Sequence, residues 1–320
     1  MAFLVSPGVQ VKEIDLTNVV PAVATSIGAI ALAAQKGPVG KIVNISSEED
    51  LVKTFGKPLA PADSTIQYES WFAAASFLAY SDSLKVVRPE SAIVNAGANS
   101  GVLIRDDDHY LASFSTGQGT NGEWTARTAG TWGNSIGVQI CATATSFEQN
   151  FSTNQLVNGA ASAGAESVTV DDADASGYAF NVGDLISFYS DNSGVTPVDE
   201  FNEYEVTAVN TSTNALSIRL KDDPNGAGLQ NDIADNSTMR RRWKYYDLFE
   251  HAPGTSQWAT DNARGSGDEM HVVVYDTTGD ITGYDSGVAG NRTKGVIETF
   301  ANLSKNPNAK TAQGASNYYA

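Results

Sequence analysis

Apolar and polar side chains alternate along Val9-Gln10-Val11-Lys12, after Phe3-Leu4-Val5 and a Ser6-Pro7-Gly8 break. That period-two pattern predicts a half-buried strand. Beyond it the chain runs into Asn18-Val19-Val20-Pro21, not a tight turn and a matching run. The strand's backbone groups therefore need partners far along the chain or on another molecule. Val9 and Val11 face one way and Ile14 and Leu16 the other, so a bulge or bend falls near Lys12-Glu13. Residues 1–20 read as an extended arm, with Val9, Val11, Lys12, Glu13, Ile14 and Leu16 as its intersubunit pairing residues. A terminal strand tied into its own domain is the alternative.

Residues 25–34 are a small apolar run that predicts a strand buried on both faces. Lys41–Ile45 predicts a second strand, and Ser46-Ser47-Glu48-Glu49-Asp50 announces a helix, with Ser46 and Glu49 at capping-box spacing. Gly56 and Pro58 end that helix. A longer helix is expected over 64–80, with Tyr68, Phe72, Ala75 and Ala79 on one face and Trp71 and Leu78 flanking it. Leu84–Arg88 is the next strand. The aromatic stripe is packing, not a cofactor box.

From Gly97 the pattern changes to short strands between Gly, Asn and Ser clusters. Trp124 and Ala126 share a strand face, Gly130-Thr131-Trp132-Gly133-Asn134 forces a tight irregular loop, and Ile136–Ile140 resumes as a strand. Val168–Val170, Asp184–Phe188, Glu203–Val209 and Leu216–Leu220 have the spacing of a small β-barrel or sandwich. Asp268–Asp276 predicts a buried strand opening an α/β unit, and Val296–Phe300 the start of an amphipathic helix. One strand and one helix do not make a domain, so this last part reads as incomplete. The fold class expected is α+β and multidomain: the arm (1–20), an α/β core (21–96), a β-rich region (97–155), an inserted β module (156–239), and the start of a second α/β domain (240–320).

Charge sharpens that division. Residues 156–239 hold 14 acidic and 2 basic side chains, against 9 and 9 in 240–320, within a chain of net charge −17. An acidic surface disfavours nucleic acid and anionic lipid as partners, and no apolar run is long enough to span a bilayer. The N-terminus lacks a signal-peptide pattern. The one cysteine, Cys141, forms no internal disulfide and reads as a small buried thiol.

Candidate chemistry is sparse. His109, His251 and His271 lie far apart and offer no zinc-ligand pair. Gly37-Pro38-Val39-Gly40-Lys41 misses the phosphate-loop spacing, and Gly254-Thr255-Ser256 lacks a nucleophile-elbow context. The run from Asp172 places Gly183 where a calcium loop needs glutamate. Arg105-Asp106-Asp107-Asp108 reads as a solvated loop. The basic cluster Arg240, Arg241, Arg242 and Lys244, beside Tyr245, Tyr246 and Phe249, reads as an intersubunit salt-bridging patch. No catalytic, cofactor or metal residues are assigned, and the chain is not expected to be an enzyme.

Several of these segments resemble the tail sheath protein of contractile-tailed phages, especially the T-even-like myoviruses and their cyanophage relatives. The residues that carry it are Ser6-Pro7-Gly8-Val9 through Glu13, Leu51-Val52-Lys53-Thr54-Phe55-Gly56-Lys57-Pro58, and Leu84–Arg88. Ala126-Arg127 with Gly130–Ser135, Asp268–Val274, Leu303-Ser304-Lys305 with Asn308-Ala309-Lys310, and Gly314 to Tyr319 complete the match. Residues 156–239 have no counterpart in it, and variable insertions that decorate the outer surface are common in the family. The resemblance implies a structural subunit that polymerises as stacked six-fold rings around a tail tube. It implies contraction that drives the tube through the bacterial envelope, with energy stored in the lattice and no cofactor. Implied partners are neighbouring copies, the tail tube protein, and baseplate and tail terminator proteins. The implied location is the virion tail, after assembly in the bacterial host cytoplasm. Family members continue past this chain's last residue, and the strands expected to receive the arm lie in that continuation. The sheath of a tailocin or secretion-type contractile machine is the near alternative, and a β-rich adhesin or carbohydrate-binding protein the distant one.

Overall fold

The structure, a computed structural model, describes residues 26–115, 121–151, 155–177, 179–189, 202–223, 225–284 and 295–319. The arm residues Val9, Val11, Lys12, Glu13, Ile14 and Leu16 lie outside the described residues. Two compact units divide the chain, Met1–Gly130 and Thr131–Ala320.

In the first unit, β1 (Gly28–Ala31), β3 (Leu84–Val87) and β2 (Ile42–Ile45) form a sheet in that order. β1 runs parallel to β3 and β2 antiparallel to it. Helices α1 (Glu48–Phe55) and α2 (Thr65–Leu78) supply Leu51, Phe55, Trp71 and Ala74 to a core with Leu32, Ile45, Leu84 and Val86. α2 lies so close to β1 that a Cβ on Gly28 would sit 2.6 Å from the Phe77 ring. β1 is not buried on both faces as expected, because Ala29 and Ala31 are exposed at the sheet's edge. α2 is also turned from the expected stripe. Gln67, Trp71 and Ala74 are buried while Phe72 is exposed. The Trp71 indole donates to Gly56 O at 3.0 Å, and Gln67 Oε1 accepts from Leu59 N at 2.6 Å. The helix thereby satisfies the turn that ends α1.

Sequence places the α1 cap one residue early: Ser47, not Ser46, accepts from Asp50 N. The Arg105–Asp108 run, expected as a solvated loop, starts a helix, α3 (Asp107–Ser113). Asp106 caps it by accepting from His109 N, and Asp107 and Asp108 occupy the first turn, where the helix dipole favours carboxylates.

The second unit opens with a 3₁₀ turn, Thr131–Ser135, followed by β4 (Ile136–Cys141), α4 (Ala144–Phe147) and β5 (Glu148–Phe151). The remaining strands are β6 (Ser167–Thr169), β7 (Leu185–Tyr189), β8 (Tyr204–Asn210), β9 (Ala215–Leu220), β10 (Thr238–Arg242), β11 (Glu269–Asp276) and β12 (Val296–Ser304). A short helix, α5 (Gln257–Asp261), precedes β11. One antiparallel sheet has six strands in the order β5-β10-β7-β8-β9-β6. It is open; among the described residues no ladder joins β5 to β6 to close a barrel. Its core holds Phe151, Phe180, Ile186, Phe188, Tyr204, Val206, Leu216 and Met239. Backbone pairs at Val157, Ala161 and Gly164 zip that segment to 229–237. The sheet takes β5 from before the expected limits of the acidic module, and β10 runs across its end.

The second sheet is β12-β11-β4, antiparallel throughout. Val296–Phe300 is therefore a strand and not the start of a helix. Val296, Ile297, Thr299 and Phe300 are β-branched or aromatic, and pairing with β11 decides the conformation. Cys141, Phe147, Trp243, Tyr245 and Val273 form the core on one face of this sheet. Burial pushes the Cys141 thiol up to about 12.

Candidate functional site

β10 carries three arginines in a row, and strand alternation sends them to opposite faces. Arg241 points with Met239 toward the core side. It donates to Ala179 O, to Thr145 O at 3.1 Å and to Gln149 Oε1 at 3.2 Å. Its other neighbour is Asp184, 4.0 Å away. Burial raises the Asp184 carboxyl to about 6 against the pull of Arg241.

Arg242 faces the other way and is clamped between two carboxylates. Its Nε donates to Glu148 Oε2 at 2.6 Å and its Nη1 to Glu203 Oε1 at 2.7 Å, with the guanidinium 4.6 Å over the Tyr246 ring. Glu203 also accepts from Lys221 Nζ at 3.0 Å and Tyr246 Oη at 2.7 Å. Burial opposes the charge on Glu203, but these donors override it and hold its carboxyl below the ordinary range. The cross-strand register continues the row through Leu185 to Glu205, which Arg219 grips at 2.8 Å. Lys244 lies 5.3 Å over the Tyr245 ring and 5.7 Å from that of Tyr275. Arg241 and Arg242 of the expected intersubunit patch are thus engaged within the chain. Arg240 is held more loosely: its Nη2 is 3.5 Å from Ser187 Oγ and 3.9 Å from Glu203 Oε1.

Three further clusters carry no sequence motif. In the first unit Arg88, 3% exposed, donates to Gly37 O at 3.0 Å and Ala129 O at 2.6 Å. It binds carbonyls in place of a carboxylate, and burial lowers its pKa to about 10. Gly130 follows at φ +125°, where a Cβ would meet Gln35 O at 2.2 Å. In the second unit the Asp276 carboxylate is wholly buried and accepts from the backbone N–H of Gly279, Ile281 and Thr282 and from the Thr282 hydroxyl. Burial opposes its charge, but those donors hold the carboxyl below the ordinary range. Ser135 O accepts from Thr277 N at 2.7 Å, which binds the Thr131–Ser135 turn to the same loop. Finally, His271 fills a bulge in β12, where its Nδ1 accepts from Asn302 N at 3.1 Å. The partners of Arg88 and His271 lie 20 to 51 residues away, and those of Asp276 in a loop without a motif, so no local signal marked them.

Among the described residues there is no grouping of three or more His, Cys, Asp or Glu side chains fit to hold a metal ion, and no helix long and apolar enough to cross a membrane. Fold and polar clusters together define a mixed α/β protein, mostly sheet, whose charged groups serve chiefly to fasten strands to one another. No protein-family model matches the chain. It is similar to the tail sheath protein of Enterobacteria phage T4, 39% identical over 85 residues, or 27% of this chain and 12% of that protein. It is also similar to the tail sheath protein of Vibrio phage KVP40, 32% identical over 117 residues, or 32% of this chain and 17% of that protein. The resemblance to tail sheath proteins is shown by both, over segments that span less than a fifth of either relative's length.

Proposed function

We propose that the chain is a structural subunit of a contractile phage tail sheath, not an enzyme, and acts in the virion tail. The observation that carries this reading is its similarity to two tail sheath proteins. In this reading copies polymerise as six-fold rings around a tail tube protein, between baseplate and terminator proteins, after synthesis in the host cytoplasm. Contraction of the assembled lattice drives the tube through the envelope. Ion-paired, antiparallel sheets suit such a role, because they spread load over many strand contacts. The acidic module, with 14 acidic to 2 basic side chains over 156–239, is placed on the outer surface in this proposal.

The arm at residues 1–20 is assigned to strand pairing between neighbouring subunits through Val9, Val11, Ile14 and Leu16. Negative-stain electron microscopy of the purified full chain, alone and with tail tube protein, tests the whole reading. Rings or tubes are expected, and a chain that stays monomeric in every condition refutes it. Deleting residues 1–17 is expected to leave a folded, soluble chain that forms no tubes. Normal tubes from the deletion would remove the arm from the scheme.

A further inference from the structure

β10 carries three guanidinium groups, Arg240 and Arg242 on one face and Arg241 on the other, and two of the three are saturated. Arg242 has two carboxylates within 2.7 Å, and Arg241 has three oxygen acceptors. Arg240 is different. Among the described residues its Nε is buried without a hydrogen-bond partner, and the shortest bond its guanidinium makes is 3.5 Å to Ser187 Oγ. Glu203, the nearest carboxylate among the described residues at 3.9 Å, already accepts from Arg242, Lys221 and Tyr246. Nε itself is enclosed, but the side chain is 24% exposed, so the outer N–H groups of the guanidinium are open to a further acceptor.

The guanidinium borders a groove of about 200 Å³ lined by Glu148, Asn150, Phe151, Tyr189, Met239 and Arg240. The Tyr189 ring backs it, with the ring centroid 5.6 Å from Cζ. The register sets Asn150, Arg240 and Ser187 side by side across β5, β10 and β7. A planar cation backed by an aromatic ring and flanked by an amide and a hydroxyl matches a carboxylate, which accepts two parallel N–H bonds. A groove this size takes one acidic side chain and is too small for a nucleotide.

We propose that Arg240 is a docking point for an aspartate or glutamate side chain of a second copy of this chain. A second copy can supply the carboxylate: residues 156–239 alone carry 14 acidic side chains against 2 basic ones, so most of them have no cation of their own module to pair with. The inference rests on the self-assembly proposed for this chain and gives it a specific contact. Arg242 is a strand fastener; Arg240 is kept for the neighbour.

The test uses the full chain, and the probe is phenylglyoxal, which modifies accessible guanidinium groups and is read by peptide mass spectrometry. Arg240 is expected to react in the dispersed subunit and to be protected at least about tenfold once tubes form, while Arg242 reacts slowly in both states. Arg240→Gln is expected to raise the concentration needed for assembly by about tenfold or more, and to make assembly less sensitive to salt, at an unchanged melting temperature. If the unaltered chain never assembles, the self-assembly reading falls and this contact with it. If the unaltered chain assembles, with Arg240 equally reactive in both states and Arg240→Gln assembling as well, only the Arg240 contact is overturned.

Discussion

His271 is 1% exposed, and its two ring nitrogens have fixed roles. The Asn302 backbone N–H sits 3.1 Å from Nδ1 and can only donate, so Nδ1 accepts. Nε2 then carries the hydrogen and donates to His251 O at 2.8 Å. Phe249 stacks on the ring at 4.2 Å, and Phe147 meets it edge-on at 5.8 Å. Protonation would set a second N–H against the Asn302 N–H, and burial already lowers the ring's pKa. Facing it are His251 and Glu269, with Cys141 opposite on β4. A folded-state pKa below the ordinary 6.5 means the unfolded chain binds the proton more readily. Stability is therefore full above about pH 6.5 and lost as pH falls below it. Asp184 works in the other direction: its carboxyl is raised to about 6, so its contribution is lost as pH rises through that value. The His271 part is isolated by comparison with His271→Gln, whose amide keeps one donor and one acceptor. Between pH 7.5 and 5 the unaltered chain is expected to lose more of its thermal midpoint than the variant. Equal losses would mean that His271 does not titrate in the fold. The sequence places His271 in a strand expected to be buried, but nothing in it marks the bulge that the ring fills or the partners of its two nitrogens. The Arg240–Lys244 run was visible as charge, but its partner Glu203 lies 39 residues from Arg242 and Glu148 lies 94 away. Side-chain type is local information, whereas pairing depends on register.

At the level of elements, legibility followed the strength of local chemistry. The positions of α1 and α2, and the strands at Leu84, Asp184, Glu203 and Leu216, are legible because turn residues bracket them, but the cap residue of α1 and the buried face of α2 are set by the fold. β12 was misread because Val-Ile-Glu-Thr-Phe fits either period over five residues, and only β11 alongside it decides. Its bulge, with Asn302 at φ +52°, is a tertiary feature completed by His271. The β8–β9 hairpin shows the readable case. Asn210 Oδ1 accepts from Ser212 N and Thr213 N, and Asn214 closes the turn at φ +53°. Asn214 also ties the hairpin to its neighbour: Oδ1 accepts from Ala173 N at 3.1 Å and Nδ2 donates to Asp171 O at 3.0 Å. Asn214→Gly keeps the backbone conformation and loses both bonds, at a cost of about 2 kcal/mol. Asn214→Ala adds the strain of a left-handed alanine, for about 3 kcal/mol in all. Chemical denaturation of both variants gives the ranking, and an alanine variant as stable as the glycine one would show that the turn carries no strain.

At the scale of the whole molecule, the fold corrects how the chain after Arg240 is cored. Taken alone, that stretch offers one strand and a helix; folded, β11 lies between β12 and β4, and β4 comes from Ile136–Cys141. Their shared core joins Cys141 and Phe147 to Trp243, Tyr245 and Val273. The Thr131–Ser135 turn is bound to the loop after β11 through Ser135 O. The acidic module is sewn into the same unit from both ends, since its β7 pairs with β10, and β10 with β5. Cooperativity should follow these contacts and not the charge boundaries. A fragment of residues 131–320 holds both sheets and both cores complete, and is expected to unfold in one sharp transition by circular dichroism. A fragment of residues 240–320 keeps β11 and β12 but lacks β4, Cys141 and Phe147, which leaves one edge of β11 unpaired and its apolar side uncovered. It is expected to show no cooperative melt and to bind a hydrophobic dye at room temperature. A sharp transition from the shorter fragment would mean that β11 and β12 carry a core of their own, and that the strand borrowed from before the acidic module is an accessory to this sheet.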